Sequence, residues 1–243
     1  MSQSVKRAAG ILESIGAEPK TVAQLAAEFD LHRSTMFREL QTLEQVGYAR
    51  RRADGTYAIA LRLVALAQSA LEDLDLRQAA FGPVRRLHKA VGDTLHVAAL
   101  VDDSIVYVDK AEDANGVRMY SRIGSPVRAY CSALGKAILA ALDAPARDAV
   151  LAGTQWKKYT PATITSRRAL DAELAVVAQR GWAIDDGEFE DFVNCVAVPI
   201  RTPAGVVGAL SLTAIRQVHD LDQITAHVPL MQRTAEQIAR SLG

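Results

Sequence analysis

Apolar residues recur at helical spacing three times within the first sixty positions: Val5, Ala8, Leu12 and Ile15; Val22, Leu25, Ala26 and Phe29; and Met36, Leu40 and Leu43. Gly16 and Pro19 close the first pattern. Thr21 stands three residues before Gln24, the spacing of a capping box, in which each side chain satisfies an otherwise orphaned backbone donor. Asp30-Leu31-His32 separates the second pattern from the third, which Gly47 ends. Helical geometry places Ser34, Arg38, Gln41 and Gln45 opposite the third apolar stripe. Arg50-Arg51-Arg52 followed by Ala53-Asp54-Gly55-Thr56-Tyr57 predicts a strand, a tight turn and a returning strand. Three short helices, a tight second connection and a basic hairpin have the proportions of a winged helix-turn-helix. In that arrangement Ser34 and Arg38 face base edges, Arg33 and Thr35 flank them near phosphates, and Arg50, Arg51 and Arg52 add sequence-independent affinity. The same pattern also suits a protein-interaction module, because an Arg on the outer face of an amphipathic helix is commonly a solvated charge.

From Leu61 to about Gln78 the chain lacks Pro and Gly, predicting a long helix able to connect two domains, and a further helix is expected from about Pro83 to Val91. Apolar runs at Thr94–Val101 and Ser104–Lys110, separated by Asp102-Asp103, signal an antiparallel hairpin. Helical patterns at Ser132–Leu142, about Ala144–Ala152 and Ser166–Gln179 precede strand runs at Cys195–Ile200 and Val206–Thr213. Arg201-Thr202-Pro203-Ala204-Gly205 joins those strands as a turn, and a last helix is expected over Leu221–Ser241. The fold class is therefore α+β: a winged helix-turn-helix over 1–60, a linker helix over 61–79 and, over 80–243, a domain with an antiparallel sheet flanked by helices.

Composition narrows the functional classes. An apolar content of 49% across 243 residues excludes disorder. No stretch of about eighteen uncharged apolar residues and no N-terminal apolar leader is present, so a cytoplasmic protein without a membrane association is expected. The 28 basic and 28 acidic residues cancel, and the first sixty positions carry eight of the former and seven of the latter, so any affinity for nucleic acid depends on where charge sits. Aromatic residues at 5% argue against a stacking platform for single strands. Cys131 and Cys195 are too few for a disulfide framework and are expected as reduced thiols. Gly135-Lys136-Ala137 lacks the upstream glycine and the hydroxyl of a nucleotide loop, and the five histidines show no zinc-site spacing. No metal or cofactor is expected, and the chain is not read as an enzyme. Glu188, Glu190 and Asp191 read as a solvated loop face. A Cys195 nucleophile with a distant partner such as His96 stays open, since such pairs meet in space rather than along the chain.

These residues resemble the IclR-type bacterial transcriptional regulators over essentially the whole chain. The resemblance rests on Ser4-Val5-Lys6-Arg7-Ala8, on Leu31-His32-Arg33-Ser34-Thr35-Met36-Phe37-Arg38 and on the wing ending Gly55-Thr56-Tyr57. In the second half it rests on Cys131-Ser132-Ala133-Leu134-Gly135-Lys136-Ala137, on Asp186-Gly187-Glu188-Phe189-Glu190 and on Val193-Asn194-Cys195-Val196-Ala197-Val198-Pro199-Ile200. Glu39 and Phe37 depart from the family, which more often has an aliphatic residue at the first position and His or Tyr at the second. The resemblance implies a GAF-like C-terminal domain that binds a small effector, and homodimers or homotetramers that bind inverted-repeat operator DNA near catabolic genes. It also implies an effector pocket lined by Ala133, Leu134, Asp185, Cys195, Ser211 and Thr213, with Tyr130 either at its mouth or packed inside. Backbone donors at the helix start near Ser132 and hydroxyls alternating at Ser211 and Thr213 suit a carboxylate or hydroxy acid. A cysteine-based redox sensor or enzyme using Cys131 and Cys195 is the competing class, and a DNA-binding scaffold that only oligomerises is a third.

Overall fold

In the computed structural model, which describes residues 2–72, 75–112 and 121–242, Thr21 makes the capping box its spacing predicts. Gln24 N donates to Thr21 Oγ1 at 3.3 Å, and Thr21 N donates to Gln24 Oε1 at 2.8 Å. The cap starts α2 (Val22–Glu28), which follows α1 (Gln3–Ala17) and precedes α3 (Arg33–Gln45). Ile11, Ile15, Leu25, Met36 and Leu40 close the core between them. The hairpin β1 (Ala49–Arg51) and β2 (Tyr57–Ile59) follows, with Tyr57 buried beneath it. Lys20 and Tyr57 exchange backbone hydrogen bonds of 3.1 and 2.7 Å, joining the returning strand to the α1–α2 connection. Helix α4 (Leu61–Glu72) completes the first of two contact units, Met1–Asp73.

The second unit, Leu74–Gly243, is built on an antiparallel sheet of order β4-β3-β7-β6-β5. Its strands are β3 (Thr94–Val101), β4 (Ser104–Ala111), β5 (Ala183–Asp186), β6 (Val193–Thr202) and β7 (Gly205–Ile215). Asp102 turns the first hairpin with φ 51°, a conformation Asp tolerates better than most residues. One sheet face carries α5 (Asp75–Val91) and α10 (Val228–Arg240) over Leu95, Val97, Val196, Leu210 and Leu212. The other carries α6 (Ala133–Ala141) and α8 (Arg167–Arg180), with α7 (Ala144–Leu151) between them in sequence. No helix among the described residues is long and apolar enough to cross a membrane.

Three elements differ from the sequence expectation. Residues 75–91 form one helix through Pro83, whereas the pattern carried the preceding helix to about Gln78 and began another at Pro83. The stripe Leu76, Ala80, Val84 and Leu87 runs through the proline and is buried on the sheet, and that burial outweighs the lost backbone bond. The last helix is two, α9 (Leu221–Thr225) and α10, with Pro229 in the first turn of the second, where its missing N–H costs nothing. Strand β5 was not expected, since four residues with two aspartates carry no alternating pattern; pairing with β6 makes it a strand.

Gly135 lets the start of α6 lie against the preceding segment: a Cβ there would stand 2.3 Å from the Ala129 carbonyl oxygen. Gly135→Ala is expected to destabilise the protein by roughly 1–3 kcal/mol, because backbone must move to admit the methyl. Urea unfolding measures this, and an unchanged midpoint would contradict the close approach.

Candidate functional site

The outer face of α3 is open. Arg33, Ser34 and Arg38 are exposed and Thr35 is half-buried, while Met36, Leu40 and Leu43 point into the core. Arg50, Arg51 and Arg52 are exposed on the wing. Among the described residues, none of these five arginines makes an ion pair with a carboxylate, which leaves the guanidiniums uncommitted. The wing tip is held by its own chemistry: Asp54 Oδ1 accepts from Thr56 N at 3.0 Å and from the Thr56 hydroxyl at 2.6 Å, and Gly55 supplies φ 82°. Glu39, off the buried stripe, receives Arg7 Nε at 3.1 Å and so ties α1 to α3. Sequence spacing gave no sign of that pair, whose members lie in different helices.

In the second unit the strand register assembles a cavity. Asp185 pairs with Cys195 and Cys195 with Thr213; one row further, Ala197 pairs with Ser211 and Ser211 with His96. Directly paired residues share a sheet face, so two rows of side chains point together toward the start of α6. All six residues expected there, Ala133, Leu134, Asp185, Cys195, Ser211 and Thr213, border one cavity of about 60 Å³. Ser132 caps α6, its Oγ accepting from Gly135 N at 3.1 Å, and the first-turn N–H groups of Ala133 and Leu134 have no intrahelical acceptor. His96, Tyr107, Ser121, Phe189, Glu190 and Val193 complete the wall. Tyr130 does not reach it: its ring lies 5.1 Å from that of Trp156 and its hydroxyl donates to Lys157 O at 2.8 Å.

Tyr107 arrives by a bulge. Val97 pairs with Asp109 but Ala98 with Tyr107, so Val108 is the extra residue and the alternation of β4 shifts there. Val108 enters the core on the opposite face, and Tyr107 comes within 5.5 Å of the His96 ring. A period-two reading of β4 cannot foresee this.

Burial sets the electrostatics. His96 is pushed down to about 3, chiefly by desolvation and then by Lys110, so the ring is neutral; its Nε2 lies 2.6 Å from Ser121 Oγ. Asp185 is raised to about 7, again chiefly by burial, and accepts Glu188 N at 2.6 Å. Cys131 is raised to about 12 and Cys195 well above its ordinary value, both by burial, and the Thr213 hydroxyl donates to Cys195 Sγ at 3.3 Å. No group of acidic, histidine and cysteine side chains among the described residues is arranged to hold a metal ion.

Residues 68–240 match the family described as bacterial transcriptional regulator IclR C-terminal, and residues 4–53 match the IclR helix-turn-helix domain. The chain belongs to the IclR family. Among curated IclR relatives, the HTH-type transcriptional regulator KdgR of Escherichia coli is 33% identical, over 99% of this chain and 92% of its own. The HTH-type transcriptional regulator XynR of the same organism is 32% identical, over 99% and 97%. The crystal structure of the Thermotoga maritima IclR superposes with a TM-score of 0.79 at 30% identity, over 99% and 98% of the two chains. The chain is thus a DNA-binding transcriptional regulator of the IclR type, and the proteins it resembles are regulators rather than enzymes.

One IclR segment departs from the sequence expectation. Glu188, expected on a solvated face, is buried and ion-paired with Lys136, itself 1% exposed. Glu173 Oε1 lies 4.0 Å from the same ammonium. Thr160 and Thr163 hydroxyls donate to Gly187 O and Glu188 O, each at 2.6 Å, fixing the turn that carries Phe189 and Glu190 to the cavity. Two helical turns of sequence separate neither partner from the other; 52 residues do, so no local pattern could join them.

Lys136→Met strands a buried carboxylate and is expected to cost about 3–5 kcal/mol in chemical denaturation, whereas Lys136→Met with Glu188→Leu recovers most of that loss. A single variant as stable as wild type would contradict the burial. For Asp185 the folded form holds its proton to about pH 7 while the unfolded chain releases it near pH 4. Its contribution to stability is therefore fully present below about pH 4 and is lost as pH rises through 7. Asp185→Asn should gain stability relative to wild type between pH 5 and 8, read by paired melting curves; parallel curves would overturn the assignment.

Proposed function

We propose that this regulator controls catabolic genes from the cytoplasm, as a homodimer or homotetramer binding inverted-repeat operator DNA and responding to a small organic acid. Ser34 and Arg38 would read base edges in the major groove, Arg33 and Thr35 would fix register on phosphates, and Arg50, Arg51 and Arg52 would add affinity without sequence preference. The observation that carries the effector half is the convergence of Ala133, Leu134, Asp185, Cys195, Ser211 and Thr213 on one cavity at the N-terminus of α6. An anion is favoured there by the helix dipole and first-turn donors. At about 60 Å³ the cavity matches a small acid, since a single water needs roughly 10–15 Å³ on this measure. Burial raises Asp185 to about 7, which lessens its repulsion of a bound carboxylate. The effector would act by binding the DNA-competent and DNA-incompetent states unequally, each tenfold difference shifting the balance by about 1.4 kcal/mol.

Redox chemistry at Cys131 and Cys195 is disfavoured, because a reactive cysteine needs a lowered thiol pKa and both are raised by burial. Operator binding tests the DNA half. Arg38→Ala is expected to weaken specific binding by roughly 1–3 kcal/mol, while Arg51→Ala weakens all sequences alike and reduces the salt dependence. Titration against specific and scrambled duplexes at several salt concentrations separates them, and the reverse ranking would overturn these roles.

A further inference from the structure

Phe37 is an aromatic side chain without a place in the core. It lies in the N-terminal half of α3, is 38% exposed and is not part of the apolar cluster formed by Ile11, Met36, Leu40 and their neighbours. Turning about 100° per residue puts it roughly 60° from Ser34 and 40° from Gln41 around the helix. It therefore borders the polar face expected to meet base edges, between Arg33 one turn before and Gln41 one turn after.

We infer that Phe37 is a specificity-determining residue that packs against the C5-methyl group of a thymine in the major groove. The inference rests on the reading of α3 as the DNA-facing helix and adds the base it selects. Along the major-groove floor of a duplex the thymine methyl is the projecting apolar group, while most other base-edge positions present donors or acceptors. Arg33 and Arg38 stand beside Phe37, exposed and free of ion pairs among the described residues. Two like-charged arginines flanking an aromatic match a polyanion with an apolar spot; against a second copy of the same face they would repel. A methyl sheltered from water by the ring corresponds to about fourfold in affinity.

The full-length protein is used to select binding sequences from a random duplex library, and each thymine of the enriched site is replaced in turn by uracil, which pairs identically and lacks only the methyl. Wild type is expected to lose about fourfold at one thymine position within each half-site. Phe37→Ala should show the same affinity for the thymine and uracil duplexes there, and Phe37→Leu should retain the methyl preference. Because Phe37 lies outside the core, both variants should melt close to wild type. An equal uracil effect in wild type and Phe37→Ala, or none at any position, overturns the inference while leaving sequence-specific binding in place. A change of oligomeric state in Phe37→Ala without a methyl effect overturns it in favour of a protein contact. Failure to enrich any sequence would instead overturn the DNA-facing reading of α3.

Discussion

The antiparallel register of β5, β6, β7 and β3 is the constraint on which the second unit depends. Because side chains alternate along a strand, the same pairing that sends Val196, Val198, Leu210 and Leu212 into the core beneath α5 and α10 sends Cys195, Ala197, Ser211 and Thr213 to the other face. A one-residue slip of β6 against β7 would exchange the two sets, burying hydroxyls in the apolar layer and emptying the cavity wall. Stability and site formation are consequently set by one pattern, since the core face cannot be satisfied unless the polar face is also in place.

The charged turn beside the cavity meets a different demand. Lys136 and Glu188 form a buried ion pair in which the cost of desolvating both charges opposes their attraction, so that losing either partner strands the other. Burial raises Asp185 to about 7 against the pull of Lys136, and the cavity presents hydroxyls, a neutral imidazole and backbone donors near it, with Glu190 also in the wall. Burial thus pushes Asp185, Glu188 and Glu190 up from the ordinary carboxylate range in a segment that looks fully anionic in the sequence.

What the sequence disclosed follows the range of the forces involved. The Thr21 cap, the Met36–Leu40–Leu43 stripe, the Asp54-Gly55 turn and the long strands at Cys195 and Val206 are written within a few residues, and the structure has all of them. The cavity residues follow from resemblance to a family and not from any local pattern, and the fold brings them together. No local pattern marks His96, Tyr107 and Glu190 as wall residues, because their placement depends on a strand neighbour, a bulge and a turn pinned by Thr160 and Thr163. The same limit explains the continuous helix through Pro83, where local preference yields to packing on the sheet.

The backbone pair between Lys20 and Tyr57 adds the α1–α2 connection to the wing ladder at the pair next to its turn, while among the described residues the turn from Arg52 to Thr56 is closed by hydrogen bonds within itself. A change of length or charge within the turn therefore leaves the Lys20–Tyr57 anchor in place. Charge can thus be altered in the hairpin loop, where a change costs the scaffold least.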